Sequence, residues 1–127
     1  MLPEGGYRIL EYDAKTQNYK TLFHGLNGSR IIPTGTWLTA QRKLVADGTS
    51  KRKYISGFHV LRWLPDCLKY ARKFKLPRNR IIVEVWFKDY RRKRHSNSPV
   101  LLADKMYISK DARHWTLAGK FIPRRTK

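Results

Sequence analysis

Residues Arg80 to Phe87, RIIVEVWF, constrain the fold more than any other stretch of the chain. In an extended strand Ile81, Val83, Val85 and Phe87 fall on one side, and Ile82, Glu84 and Trp86 on the other. A run so nearly apolar on both sides calls for cover on both, which places it centrally in a sheet. Only one segment has a convincing helical period. In Leu64–Lys75 the residues Leu64, Cys67, Leu68, Ala71 and Phe74 make one apolar stripe, with Lys69, Arg72 and Lys73 on the opposite face. Pro65 suits the first turn, where its missing N–H costs nothing. Asp66 suits the positive end of the helix dipole, the basic last turn suits the negative end, and Pro77 stops the helix.

The other apolar segments are short and β-rich. Tyr7–Tyr12 alternates, Asn18–His24 alternates again, and the polar residues between them suit a hairpin. Arg30–Ile32 is a short apolar run, and Trp37–Val45 reads as a strand in its first half. Asp47-Gly48 is a turn. Tyr54–Leu61 reads as one strand in which Gly57 marks a bulge or a close backbone approach. Asp89–Ser98 reads as a basic, then polar loop. Val100–Ala103 and Lys105–Ile108 give one or two strands, and Trp115–Ile122 a last one. The expectation is an α+β fold: a mainly antiparallel sheet of about six short strands with one principal amphipathic helix. A chain of 127 residues suits one domain, 1–127, with a basic tail at about 123–127.

The charge is lopsided, at a formal +19 from 28 Lys and Arg against 9 Asp and Glu. Such an excess opposes compaction and favours a polyanionic partner, of which nucleic acid is the commonest. Residues 1–50 are nearly neutral, so the basic surface belongs to the remainder. Its clusters are Lys51, Arg52 and Lys53; Lys69, Arg72 and Lys73; and Arg91, Arg92, Lys93 and Arg94. Tyr54, Trp63, Trp86, Tyr90 and Trp115 lie in or near them. Exposed rings there would stack on unpaired bases, although Trp63, Trp86 and Trp115 are each expected in the core. No base-reading motif accompanies the clusters, so sequence-specific recognition is not implied.

Other chemistries find little to work with. His24, His59, His95 and His114 are dispersed and none has the i, i+4 spacing of a helical metal site, so no metal is expected. Cys67 is the only cysteine, which excludes an intrachain disulfide, and its place on the helix stripe implies a buried, inert thiol. The first residues, MLPEGGYRILEYD, lack the pattern of a secretory signal, and no apolar run approaches the ~20 residues of a membrane span. A cytoplasmic protein without a membrane partner is the expectation.

Two resemblances add to this reading. His24-Gly25 at a strand end, and Tyr54 opening Y-I-S-G-F-H-V ahead of a helix with Tyr70-Ala71, resemble the ADP-ribosyltransferase fold over about residues 19–75. That resemblance implies an NAD cofactor, with His24 and Gly25 on its ribose and nicotinamide side and Tyr54 stacked on the nicotinamide. Glu84 would be the candidate carboxylate, while the late strand where the family has its catalytic Glu offers Asp104 followed by Lys105. The segment from about Ile32 to Ile108 also resembles small basic proteins of bacteriophages, which implies a host-cell cytoplasm and no particular activity. The leading expectation is a non-catalytic protein that binds nucleic acid or another polyanion through the three cationic clusters. The alternatives are an ADP-ribosyltransferase-like enzyme or relic, and a host-interaction protein docking on an acidic partner.

Overall fold

The computed structural model describes residues 2–22, 30–46, 52–74, 79–94 and 96–123. His24, Gly25, Asp47-Gly48, Lys51, Lys75, Pro77, His95 and the tail beyond 123 lie outside them, as does the side chain of Phe74. Among the described residues are eleven strands and one α-helix. The strands are β1 (Glu4–Asp13), β2 (Asn18–Lys20), β3 (Ile31–Ile32), β4 (Trp37–Thr39), β5 (Leu44–Ala46), β6 (Lys53–Ile55), β7 (Phe58–Val60), β8 (Arg80–Arg92), β9 (Leu101–Tyr107), β10 (His114–Thr116) and β11 (Phe121–Ile122). The helix, α1, spans Leu64–Ala71 and tightens into a 3-10 turn at Arg72–Phe74.

β8 is the axis. It pairs antiparallel with β1 along one edge, from Glu4↔Phe87 to Glu11↔Arg80. β10 and β9 share its other edge, β10 at Ile81–Val83 and β9 at Trp86–Arg92. The sheet runs on as β2 and β3 beyond β1, and β11 beyond β10. β4 and β7 share the outer edge of β9. The result is a mainly antiparallel, curled half-barrel sheet with one short helix, plus the small separate hairpin β5–β6.

The curl draws the far side of the sheet round to β1. Tyr7 and Leu61 exchange both backbone hydrogen bonds at 2.8 Å, so the end of β7 meets β1 as well as β9. Gly6 makes this approach possible. A Cβ there would lie 2.7 Å from a Phe87 ring carbon and 2.9 Å from the Leu61 carbonyl oxygen. At Gly5 it would meet Trp86 at an ordinary 3.8 Å.

Both faces of β8 are buried at its first half, as its sequence requires. Ile81, Val83, Val85 and Phe87 point into the concave core with Leu10, Tyr19, Ile32, Leu38, Phe58, Val60, Ala103, Met106 and Ile108. Within it the buried Tyr19 hydroxyl and His114 Nε2 hydrogen-bond each other, which satisfies both. On the convex face Ile82 and Ile9 are covered by α1 through Cys67 and Ala71, with Leu64, Leu68, Tyr7 and Trp115 around them. Burial pushes the Cys67 thiol up to about 12, so it is protonated and unreactive. The helix begins as expected, with Pro65 and Asp66 in its first turn.

Several segments differ from their sequence reading. Asp89–Ser98 is not a loop throughout, because β8 continues to Arg92 by pairing Tyr90, Arg91 and Arg92 with Ala103, Leu102 and Leu101. Asp89 has φ 56°, and alternation skips there: Phe87 and Tyr90, three residues apart, both face the concave core. Tyr54–Leu61 is two strands in two sheets, parted at Ser56-Gly57. Ser56 is held by the hairpin, its N–H on the Lys43 carbonyl and its hydroxyl on the Gln41 carbonyl. Gly57 lies against β9, where a Cβ would sit 3.2 Å from the Ala103 carbonyl oxygen, the close approach its glycine suggested. Trp115–Ile122 is a hairpin turning at Gly119 (φ 93°), not a strand. Trp63 and Trp86 are not core residues but 64% and 48% exposed. Trp63 precedes the helix, and Trp86 sits where α1 no longer covers the convex face.

The gap at Gly6 makes a prediction. Gly6→Ala should destabilise by about 1–3 kcal/mol through overpacking, while Gly5→Ala should leave the thermal midpoint nearly unchanged. Equal melting of the two variants would show that the curl does not need the gap.

Candidate nucleic-acid interface

The strand extension decides what the Arg91–Arg94 cations do. Arg91 is turned to a structural task. Its guanidinium donates to Asp104 Oδ1 at 3.1 Å and to the carbonyls of Ile55 and Ser56 at 2.8 and 3.0 Å. Asp104 also accepts from Arg42, which departs from the hairpin side. These bonds fasten β5–β6 to the edge of the main sheet. The Arg42 guanidinium above all holds the Asp104 carboxyl below the usual carboxylate range; burial opposes it, and Arg91 adds to the lowering.

The same fastening brings two of the cationic clusters together. The ammonium of Lys93 stands 4.7 Å over the ring of Tyr54 on β6, so Lys93 and Arg94 lie beside the hairpin that carries Arg52 and Lys53. Arg91, Arg92, Lys93 and Arg94 line an open depression with Ser96. Arg92 also reaches the start of α1, where it shares a small cavity of about 130 Å³ with Arg62, Trp63, Asp66, Pro99 and Leu101. Arg62 is held there by Glu4 at 3.2 Å and by the Tyr90 hydroxyl at 2.6 Å. Lys69, Arg72 and Lys73 are exposed on the outside of the helix and its 3-10 turn, with Lys73 5.4 Å over the Tyr70 ring. Lys51 lies outside the described residues.

The residues of the alternative, NAD-type site are only partly gathered. Tyr54 and His59 meet, hydroxyl to Nε2, at 3.3 Å. Glu84 is elsewhere: it lies on the convex face of β8, paired with Arg113 at 2.5 Å. It precedes Lys93, the neighbour of Tyr54, by roughly 30 Å of extended strand. Tyr54 and Glu84 therefore do not face one cleft, and His24 and Gly25 lie outside the described residues. Among the described residues no group of three His, Cys, Asp or Glu side chains gathers as a metal site. No helix among them is long and apolar enough to cross a membrane.

The structure adds a feature that sequence reading missed. Trp86 on β8 pairs with Tyr107 on β9, and Tyr107 pairs with Trp37 on β4. Directly paired residues of an antiparallel sheet share a face, so the three rings form one row across three strands. Trp86 and Trp37 are 48% and 39% exposed, and the rings of Trp37 and Tyr107 are 5.6 Å apart. Beneath them Phe87, Met106 and Leu38 form the matching buried row. Two residues along each strand, Lys88, Lys105 and Thr39 make a second outer row. Lys105 donates to the Thr39 hydroxyl at 2.8 Å, and Lys88 stands 4.6 Å over the Trp37 ring. The signal was present as W-x-T, W-x-K and K-x-Y, three strands each with an aromatic and a polar residue two apart. What made them neighbours was the topology.

No family model matches the chain, and neither a curated protein nor a solved structure matches it.

Asp104→Asn should loosen the hairpin, at a cost of about 1–2 kcal/mol at neutral pH. Because the folded carboxyl lies below its unfolded value, its contribution is complete above the ordinary carboxylate range, near pH 4. It fades as pH falls through the lower folded value. Urea unfolding of both proteins from pH 7 to 3 should therefore converge in acid. The variant should keep some acid sensitivity through Asp13, present in both proteins, whose carboxyl is lowered by the backbone N–H groups of Lys15 and Thr16. Parallel curves would remove the clamp.

Proposed function

We propose that this protein binds nucleic acid non-catalytically, through cations spread over the end of β8, the β5–β6 hairpin and the outside of α1. The observation that carries this reading is the set of lysines held over aromatic rings and not by carboxylates. Arginines take up the carboxylates: Arg30 with Glu11, Arg42 and Arg91 with Asp104, Arg62 with Glu4, and Arg113 with Glu84. Lys93, Lys73 and Lys88 rest on the rings of Tyr54, Tyr70 and Trp37, as Arg8, Arg62 and Arg113 also do on Phe58, Tyr90 and Trp115. An ammonium held by a ring loses little when it moves to a phosphate. Each such couple offers a cation for a phosphate and an aromatic surface beside it. With a net charge of +19 over 127 residues, affinity should come mostly from counterion release, in a cytoplasmic setting where nucleic acid is abundant.

Binding of fluorescent DNA and RNA oligonucleotides should weaken steeply and linearly in log–log form as salt rises. Replacing Arg92, Lys93 and Arg94 with Gln should lower both affinity and slope, by roughly one unit of slope for each phosphate no longer neutralised, without lowering the melting temperature. Arg91→Gln should act differently, destabilising the fold by releasing the hairpin. Binding that is absent at low salt, or that shows no salt slope, would sink the proposal.

A further inference from the structure

The convex face of the sheet is divided. Over Ile9, Ile82 and Trp115 it is closed by α1. Further along β8 it stays open, and there Trp86 stands in a row with Tyr107 on β9 and Trp37 on β4. Between the two halves, Glu84 is engaged by Arg113, so the carboxylate nearest the row along β8 on this face is already neutralised. On the other side the row is bordered by Lys88 and Lys105. Gly5, directly opposite Trp86 on β1, presents no side chain and leaves that flank uncovered.

We infer that this row is a binding surface for unpaired bases of single-stranded nucleic acid, with Lys88 and Lys105 taking the adjoining phosphates. The inference rests on the proposed function and names which form of nucleic acid is selected and where its bases lie. Rings set along a sheet face offer flat apolar surfaces, and an unpaired base covers such a surface with its own π-face. Bases in a duplex stack on one another and show only their edges, so they cannot use the row. Two strand-to-strand steps, about 10 Å, give room for roughly two bases. Lys88, now over Trp37, hands that ring face to the base and moves to the phosphate beside it.

The alternative occupants fit less well. A second copy of the chain would set this patch against itself across a two-fold axis, bringing together two patches that each carry the like charges of Lys88 and Lys105. An acidic protein would answer the lysines but would not need three rings aligned across three strands.

The test compares wild type with Trp86→Thr, Trp37→Thr and the double variant, which keep β-forming residues on the strands. Probes are an oligothymidylate, an oligouridylate and a duplex of equal length, at one low salt concentration. Each Trp replacement should weaken both single strands roughly ten-fold and leave duplex binding within about two-fold. In a Trp63→Phe background, oligothymidylate should also quench the tryptophan emission. This last measurement needs no change in the row, and so decides the matter even if a Trp variant misfolds.

Wild type that binds no nucleic acid would overturn the proposed function and this inference together. Wild type that binds, with single-strand affinity unchanged in the row variants or no quenching in the Trp63→Phe protein, would overturn this inference alone. An equal loss for single strands and duplex would do the same. So would a row that alters self-association in sedimentation and not oligonucleotide binding.

Discussion

Everything in this fold hangs on the engagement of β8 along both edges and, in its first half, on both faces. β1 takes one edge, β10 and β9 divide the other, and the two faces are filled by the concave core and by α1. A strand of thirteen residues is longer than the helix that covers it, so part of its convex face is left open. The skip at Asp89 and the Tyr7–Leu61 bonds curl the sheet around β8. The curl gathers the concave core and sets the convex surface outward.

The charge distribution follows from the same geometry. A chain this basic repels itself, and its few carboxylates are placed where they fasten elements together. Asp104 holds the hairpin, Glu4 holds Arg62 beside Tyr90, and Glu84 holds Arg113 beside β10. Arginine suits those sites because its planar fork grips a carboxylate with directed bonds. Of the other described cations, Lys73, Lys88 and Lys93 lie over aromatic rings, while the Arg8 guanidinium is buried and donates to the His59 carbonyl. Arg91 thus belongs with the cations that fasten the fold, although its neighbours in sequence belong with the proposed binding surface.

The local pattern made much of this fold legible. RIIVEVWF was a central strand because both of its faces are apolar, and the stripe through Cys67 and Ala71 was a helix seated on a core. Less readable were features set by partners distant in sequence. Arg91 and Arg92 extend β8 because Leu101 and Leu102 lie opposite, and nothing local in DYRRKR announces a strand. Tyr54–Leu61 breaks because Ser56 is claimed by the hairpin and Phe58 by β9. Trp86 looked like core for the same reason that Val85 is core, as part of an apolar run. Only the reach of α1 distinguishes Ile82, which it covers, from Trp86, which it does not. The cationic clusters were visible as runs of letters, but the aromatic row joins residues 37, 86 and 107 and exists only once β4, β8 and β9 are side by side.

The central claim is that the partner's unpaired bases seat on the open half of the convex face, while the cations of the β8 end, the hairpin and α1 take phosphates. Chemical-shift mapping of isotopically labelled protein titrated with oligothymidylate tests it most directly. The account predicts that the indole N–H signals of Trp37 and Trp86 and the amides of Lys88, Lys105 and Tyr107 move most, while Trp115 under the helix stays still. Shifts confined to Lys69, Arg72 and Lys73, with the two indoles unmoved, would contradict it.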